Sequence, residues 1–153
     1  MPPDSLTDLL PWRHPFLLID RLIECVPHRS ITTIKQVSGN DILAHAHGPG
    51  PNPGPGPCLW PGLLVLEGLN QTAALLVRLT YGPIDAARRP LVGRLRARFP
   101  GSAAPGDTIT YSVRAVKMTS THGLFEGAAQ VGGKRIVEAE LALAVVRADG
   151  GTA

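Results

Sequence analysis

The stretch PGLLVLEGLNQTAALLVRLT, residues 61–80, decides how the rest of the chain must be arranged. Pro61 suits the start of a helix, where a missing N–H leaves no bond unmade. From Leu63 to Thr80 there is no proline, and Gly68 alone is a poor helix former. The spacing therefore predicts a helix over 63–80. Its apolar residues cover nearly every face, so the helix is expected to be wrapped by protein on all sides.

The wrapping has to come from strands. FLLIDRLIECV (16–26) is apolar and rich in β-branched residues, and Pro27-His28-Arg29 turns the chain. SITTIKQVSG (30–39) predicts a second strand. There Ile31 and Val37 share one face and Ile34 the other, so the pattern leaves the buried face open. Residues 5–10, SLTDLL, predict one or two helical turns capped by Ser5. Beyond the long helix, residues 91–99, 107–118, 122–131 and 134–147 predict four strands. The turns between them are PGSAAPGD, a polar TST and GGK. One buried helix and about six strands make an α+β domain with a sheet wrapped round a helix. No repeat or linker divides the chain, so residues 1–153 are taken as a single domain with 149–153 a frayed tail.

Composition narrows the function. The chain has 153 residues, 44% hydrophobic and 18% charged, as a globular domain with a sizeable core requires. A net charge of +3 without a Lys/Arg block, and few aromatics to stack on bases, points away from nucleic acid. No uninterrupted apolar run reaches membrane-spanning length, and the first residues lack a basic region followed by an apolar one. Cys25 and Cys58 make no disulfide framework, so a cytoplasmic location is expected, with no membrane partner.

One carboxylate sits where the helix asks for an apolar residue. An unpaired ionised Glu67 would be costly there, so it must find a partner, lose its charge or face a cavity. Asn70 and Gln71 follow at i+3 and i+4 and form a narrow polar stripe with it. Two readings stand: a structural, hydrogen-bonded glutamate, or a general acid with a pKa raised by desolvation. Just before the helix comes AHAHGPGPNPGPGPCLWPG (44–62), with His45 and His47 ahead of a stiff glycine–proline run. An HxH pair can be structural, catalytic or metal-binding, but no further ligand spacing supports a metal. Backbone N–H groups at the helix start that Trp60-Pro61-Gly62 opens would be unsatisfied and suit a developing oxyanion. A base, an acid and an oxyanion donor are what an elimination beside a carbonyl needs.

These residues resemble a known family. LPWRHPFLLIDR (10–21) is similar to the N-terminal LPHRxPFLLVDR motif of the hot-dog-fold 3-hydroxyacyl-[acyl carrier protein] dehydratases. WPGLLVLEGLNQ (60–71) resembles that family's helix start and its E-x-x-A-Q pattern. Arg98-Phe99 followed by APGD (104–107) resembles its later strand and turn. The resemblance runs from about residue 8 to 146. It departs from the family in one place. The family histidine lies fourteen residues before its acid, which from Glu67 counts back to Pro53. Counted from the preceding strand, the histidine is instead His47, and PNPGPG (51–56) becomes an insertion. Gly48 and Asn70 also differ from the family pattern, which has an aromatic and a small apolar residue there.

The resemblance implies a hot-dog fold, an antiparallel sheet around a long central helix, paired with a second subunit. It implies removal of water from a (3R)-3-hydroxyacyl thioester to give the trans-2-enoyl thioester, in fatty-acid or polyketide biosynthesis. His47 would take the C2 proton, Glu67 would protonate the departing hydroxyl, and the Gly62 N–H would hold the thioester carbonyl. No metal and no organic cofactor is implied, the substrate riding on the phosphopantetheine of an acyl carrier protein. Arg94, Arg96 and Arg98 share one face of a strand. They are either a solvated basic face or the docking site of that acidic carrier. The departures around His47 keep a second reading open, a half-catalytic subunit of a heterodimer that contributes Glu67 to a partner's site. A hot-dog acyl thioesterase is a third.

Overall fold

The computed structural model describes residues 5–41, 59–83, 85 and 87–147. Among the described residues, two helices and six strands run in the order α1 (Leu6–Leu9), β1 (Arg21–Val26), β2 (Ser30–Gln36), α2 (Gly62–Tyr81), β3 (Arg88–Arg98), β4 (Thr108–Met118), β5 (His122–Val131) and β6 (Lys134–Arg147). The strands form one sheet in the order β1-β2-β4-β5-β6-β3, and every neighbouring pair is antiparallel. The α+β reading holds: an antiparallel sheet packs against one long helix, the hot-dog arrangement.

Period-two alternation builds the inner face of the sheet. In β6, Val137, Ala139, Leu141 and Leu143 are buried, and Glu138 and Glu140 point to the other face. In β4 the buried residues are Ile109, Tyr111 and Val113. Against them α2 sets Val65, Leu69, Ala73, Leu75, Leu76 and Val77. Full burial of each such leucine or valine contributes roughly 1.5–3 kcal/mol before entropy is counted. Gly68 marks a close approach of helix and sheet: a Cβ there would overlap the Tyr111 ring and its hydroxyl. The weak helix former is thus the notch that admits a ring. Thr72 Oγ1 donates to the Gly68 carbonyl at 2.7 Å and lies 2.8 Å from Thr33 Oγ1, tying α2 to β2.

Several expectations need correction. The first strand covers only Arg21–Val26, not 16–26, because the backbone of Phe16 and Leu18 bonds to a side chain of α2 rather than to a ladder. The second stops at Gln36, and its buried face is Ile31, Thr33, Lys35 and Val37. Two polar residues on that inner face explain why its pattern was ambiguous. The third strand starts at Arg88 and the helix runs two residues longer than 63–80. The helix is not wrapped on all sides: Leu63 is 72% exposed, and Leu64, Glu67 and Asn70 are only half-buried. Membrane-like length and hydropathy do occur in α2, yet most of it is buried inside the fold. β3 is an edge strand, bonded to β6 alone among the described residues, and exposes Leu91, Val92 and Leu95. The proposed frayed tail, 149–153, lies outside the described residues, as do His45, His47 and the PNPGPG segment.

Candidate active site

Glu67 stands on the open flank of α2, on one stripe with Leu63 and Asn70. Its Oε1 accepts from Gln71 Nε2 and its Oε2 from Asn70 Nδ2, both at 3.1 Å. Burial pushes the Glu67 carboxyl above the usual carboxylate range, and these two hydrogen bonds pull it part of the way back. Asn70, a departure from the family pattern, therefore has a clear role here. It is a donor that favours the charged form.

Gln71 is fully buried and fixes the site to the N-terminal segment. Its Oε1 accepts from the Leu18 N–H at 2.8 Å, and its Nε2 donates to the Phe16 carbonyl at 2.8 Å as well as to Glu67. One amide group with every partner satisfied thus orients the carboxylate and holds the chain at residues 16–18. Sequence reading put Gln71 on the polar stripe but missed Phe16 and Leu18 as its partners. Their place in the PFLLIDR motif was the available signal.

The start of α2 lacks a side-chain cap. Pro61 is the N-cap and has no side-chain acceptor, so among the described residues no side chain caps the first-turn amides. A Cβ on Gly62 would lie 3.0 Å from the exposed Phe99 ring, so a larger residue there would require that ring to give way. Beside it a cavity of about 270 Å³ is lined by Leu59, Trp60, Gly62, Val65, Ser102 and Val137. Glu67 thus lies a little over one helical turn from the uncapped amide of Gly62. His47 lies outside the described residues, and so does its distance from either.

Arg94, Arg96 and Arg98 are on the outer face of β3, away from Glu67. Arg96 faces Glu140 at 4.0 Å and Arg98 faces Glu138 at 3.9 Å, across to β6. Arg94 has no ion pair among the described residues. No cluster of metal-ligating side chains is found among the described residues.

A family model described as the FabA-like domain matches residues 10–140. The chain is 38% identical over 142 residues to the 3-hydroxyacyl-[acyl-carrier-protein] dehydratase FabZ of Symbiobacterium thermophilum, covering 92% of this chain and 94% of that one. It is 38% identical over 147 residues to FabZ of Burkholderia cenocepacia, covering 95% and 91%. Among solved structures, the dehydratase heterocomplex ApeI:P from Xenorhabdus doucetiae superposes with a TM-score of 0.77 at 17% identity, over 95% of this chain and 93% of that one. A hypothetical thioesterase from Streptococcus pneumoniae with coenzyme A reaches 0.61 at 10% identity, over 83% and 85%. The two structures share the fold with this chain, and the fold alone does not choose between dehydration and hydrolysis.

Proposed function

The chain belongs to the FabA-like family, and from that membership we propose that it dehydrates a (3R)-3-hydroxyacyl thioester borne by an acyl carrier protein. The product is the trans-2-enoyl thioester, in fatty-acid or polyketide synthesis. The supporting observation is Glu67: a carboxyl raised by burial, oriented by Gln71 and one turn from an uncapped helix start. A proton donor near neutral pH needs that combination. In the reaction His47 takes the C2 proton, the electron pair forms the C2–C3 double bond, and the C3–O bond breaks. The proton of Glu67 goes to the departing hydroxyl, which leaves as water. The Gly62 N–H stabilises charge on the thioester oxygen as C2 loses its proton. The thioester itself acidifies C2, so the scheme calls on no metal or organic cofactor.

The proposal extends to the assembly. The exposed apolar residues of edge strand β3, with Leu63 and Phe99 nearby in the fold, suit a second hot-dog subunit, either this chain again or a relative. A half-catalytic subunit is favoured by one observation, the offset that puts Pro53 where the family spacing wants a histidine. Such a chain would lend Glu67 to a partner's histidine. For the carrier, Arg94, Arg96 and Arg98 supply positive charge, part of it already matched by Glu138 and Glu140. Arg-to-Glu variants at the three positions are expected to weaken carrier binding in a salt-dependent way, and unchanged affinity overturns that assignment.

The deciding assay gives the purified protein a 3-hydroxyacyl carrier-protein thioester and reads the products by mass. Loss of water supports dehydration by this chain alone. Free acid supports a thioesterase. No reaction, followed by activity on adding a related dehydratase whose own acid is mutated, supports the heterodimer.

A further inference from the structure

Lys35 is 5% exposed on the inner face of β2, between Thr33 and Val37, where an aliphatic residue would satisfy the pattern. A buried ammonium is costly unless it is paired, so its place needs a reason. Its contacts supply one. Nζ lies 3.3 Å from Asp41 Oδ2, 4.0 Å from Asp20 Oδ1 and 5.1 Å from the centroid of the Trp60 ring. The last is cation–π distance over the aromatic side chain that attracts cations best.

Those three partners are the three approaches to the candidate site. Asp41 is the last described residue before segment 42–58, which contains His47. Trp60 follows that segment and stands two residues before Gly62; its backbone N–H donates to the Ala103 carbonyl at 2.8 Å. Asp20 ends the stretch whose Phe16 and Leu18 grip Gln71, and its Oδ2 accepts from the Gln36 N–H at 2.6 Å. One cation therefore joins the chain leading to the base, the chain leading to the oxyanion donor and the chain that orients the acid.

We infer that Lys35 is a positioning residue for this site, a buried cation that fixes Asp41 and Trp60, the two described ends flanking segment 42–58, against the segment holding Gln71. The inference rests on the dehydratase reading. It goes beyond that reading by giving the reaction a residue that touches none of the reacting atoms. A group misplaced by about 1 Å can cost on the order of 10²-fold in rate. Loosening the two ends should thus lower turnover far more than substrate binding.

The test uses Lys35→Met, which keeps the stem and removes the charge, and Asp41→Asn, which removes the nearer carboxylate without leaving a cavity. Each is measured for kcat and KM well below its melting temperature, and for amide hydrogen exchange. The expected result is a kcat at least about 10-fold lower with KM within about twofold. Exchange should speed up at residues 37–41 and 59–62 and stay unchanged in β4 to β6. Lys35→Arg, which keeps the charge, should recover most of the loss. An unchanged kcat overturns the inference, and so does faster exchange spread evenly over the sheet, since that is what a merely structural lysine gives. If Lys35→Met does not fold, Asp41→Asn decides by the same criteria. If the wild type dehydrates nothing, the dehydratase reading falls, and the exchange pattern still decides whether Lys35 holds the two ends together.

Discussion

Glu67 and Glu138 belong to the same sheet-and-helix unit and are driven in opposite directions. Burial raises the Glu67 carboxyl above its ordinary range. Glu138, on the outer face of β6, is held below it, chiefly by its hydrogen bond from Arg135, with the charges of Arg135 and Arg98 adding to the effect. Around Glu138 lie many charges, Arg96 and Glu140, Arg114 and Glu126 among them, mostly exposed and mutually matched. Around Glu67 no cation comes within ion-pair distance among the described residues, and neutral amides supply its hydrogen bonds. The lesson is that charge density does not mark the site. What sets Glu67 apart is partial burial without a cation within ion-pair distance among the described residues, and there a carboxyl retains its proton to higher pH.

The linkage signs follow and are opposite. For Glu67 the folded-state pKa exceeds the unfolded one, so the folded state binds more protons between the two values. Stability then falls as pH rises through that window. For Glu138 the folded value is the lower one. Its stabilising contribution is present above the unfolded pKa and is lost as pH falls through the folded one.

The strongest way to break the comparison is Glu67→Gln. The amide keeps size and hydrogen-bonding capacity but has no proton to transfer. Dehydration is expected to fall by a factor on the order of 10² or more. Stability near neutral pH should hold or rise, since a desolvated ionisable group has gone, and the loss of stability with rising pH described above should flatten. Near-normal turnover would make Glu67 a structural residue no different in kind from Glu138.

Gly68→Ala tests what sets the depth of Glu67. Alanine gains about 1 kcal/mol in helix propensity, but its Cβ cannot share space with the Tyr111 ring. Helix and sheet must part, and overpacking of this kind costs about 1–3 kcal/mol. A melting temperature lower by several degrees is expected, with some loss of activity as Glu67 shifts with its helix. An unchanged melting temperature would show that Tyr111 moves freely and that the contact sets nothing.

Asn70→Ala sharpens the contrast without a large loss. It removes a donor to the ionised form, so the Glu67 carboxyl should rise further. An enzyme that needs Glu67 protonated should then stay active to higher pH, and the alkaline limb of kcat/KM should move up. Movement in the other direction would contradict the acid role assigned to Glu67.

How far the sequence carried this picture depends on where each residue's partners lie. The α2 segment, β5 and β6 were legible because their pattern is set by their own burial. Glu67 was legible because a carboxylate breaks that pattern. Lys35 broke a pattern too, but β2 was already irregular through Thr33, and the partners Asp20, Asp41 and Trp60 all lie outside the strand that carries it. The strand expected at 16–20 failed for a similar reason. The Phe16 carbonyl and the Leu18 N–H bond to Gln71, more than fifty positions away, and no local propensity encodes a side chain that replaces a strand. Arg94, Arg96 and Arg98 were correctly put on one face, yet the glutamates opposite two of them come from register, which a strand pattern does not give.

The smallest effect belongs to the outer face. Arg96, Glu140, Glu126 and Arg114 lie in one row across β3, β6, β5 and β4. Glu126 and Glu140 are directly opposed, an arrangement that is unfavourable alone, and each has an arginine on its far side. All four side chains are well exposed, so water screens both the repulsion and its relief. A double-mutant cycle with Arg114→Ala and Glu126→Ala should give a coupling of about 0.2–1 kcal/mol in thermal or denaturant unfolding, declining as salt is raised. Dehydration by both single variants should stay at the wild-type rate when the substrate is a short thioester that needs no carrier docking. A coupling of several kcal/mol, or a large loss of turnover, would mean that the outer face is linked to Glu67 through the sheet. The two glutamate environments would then have to be treated as one.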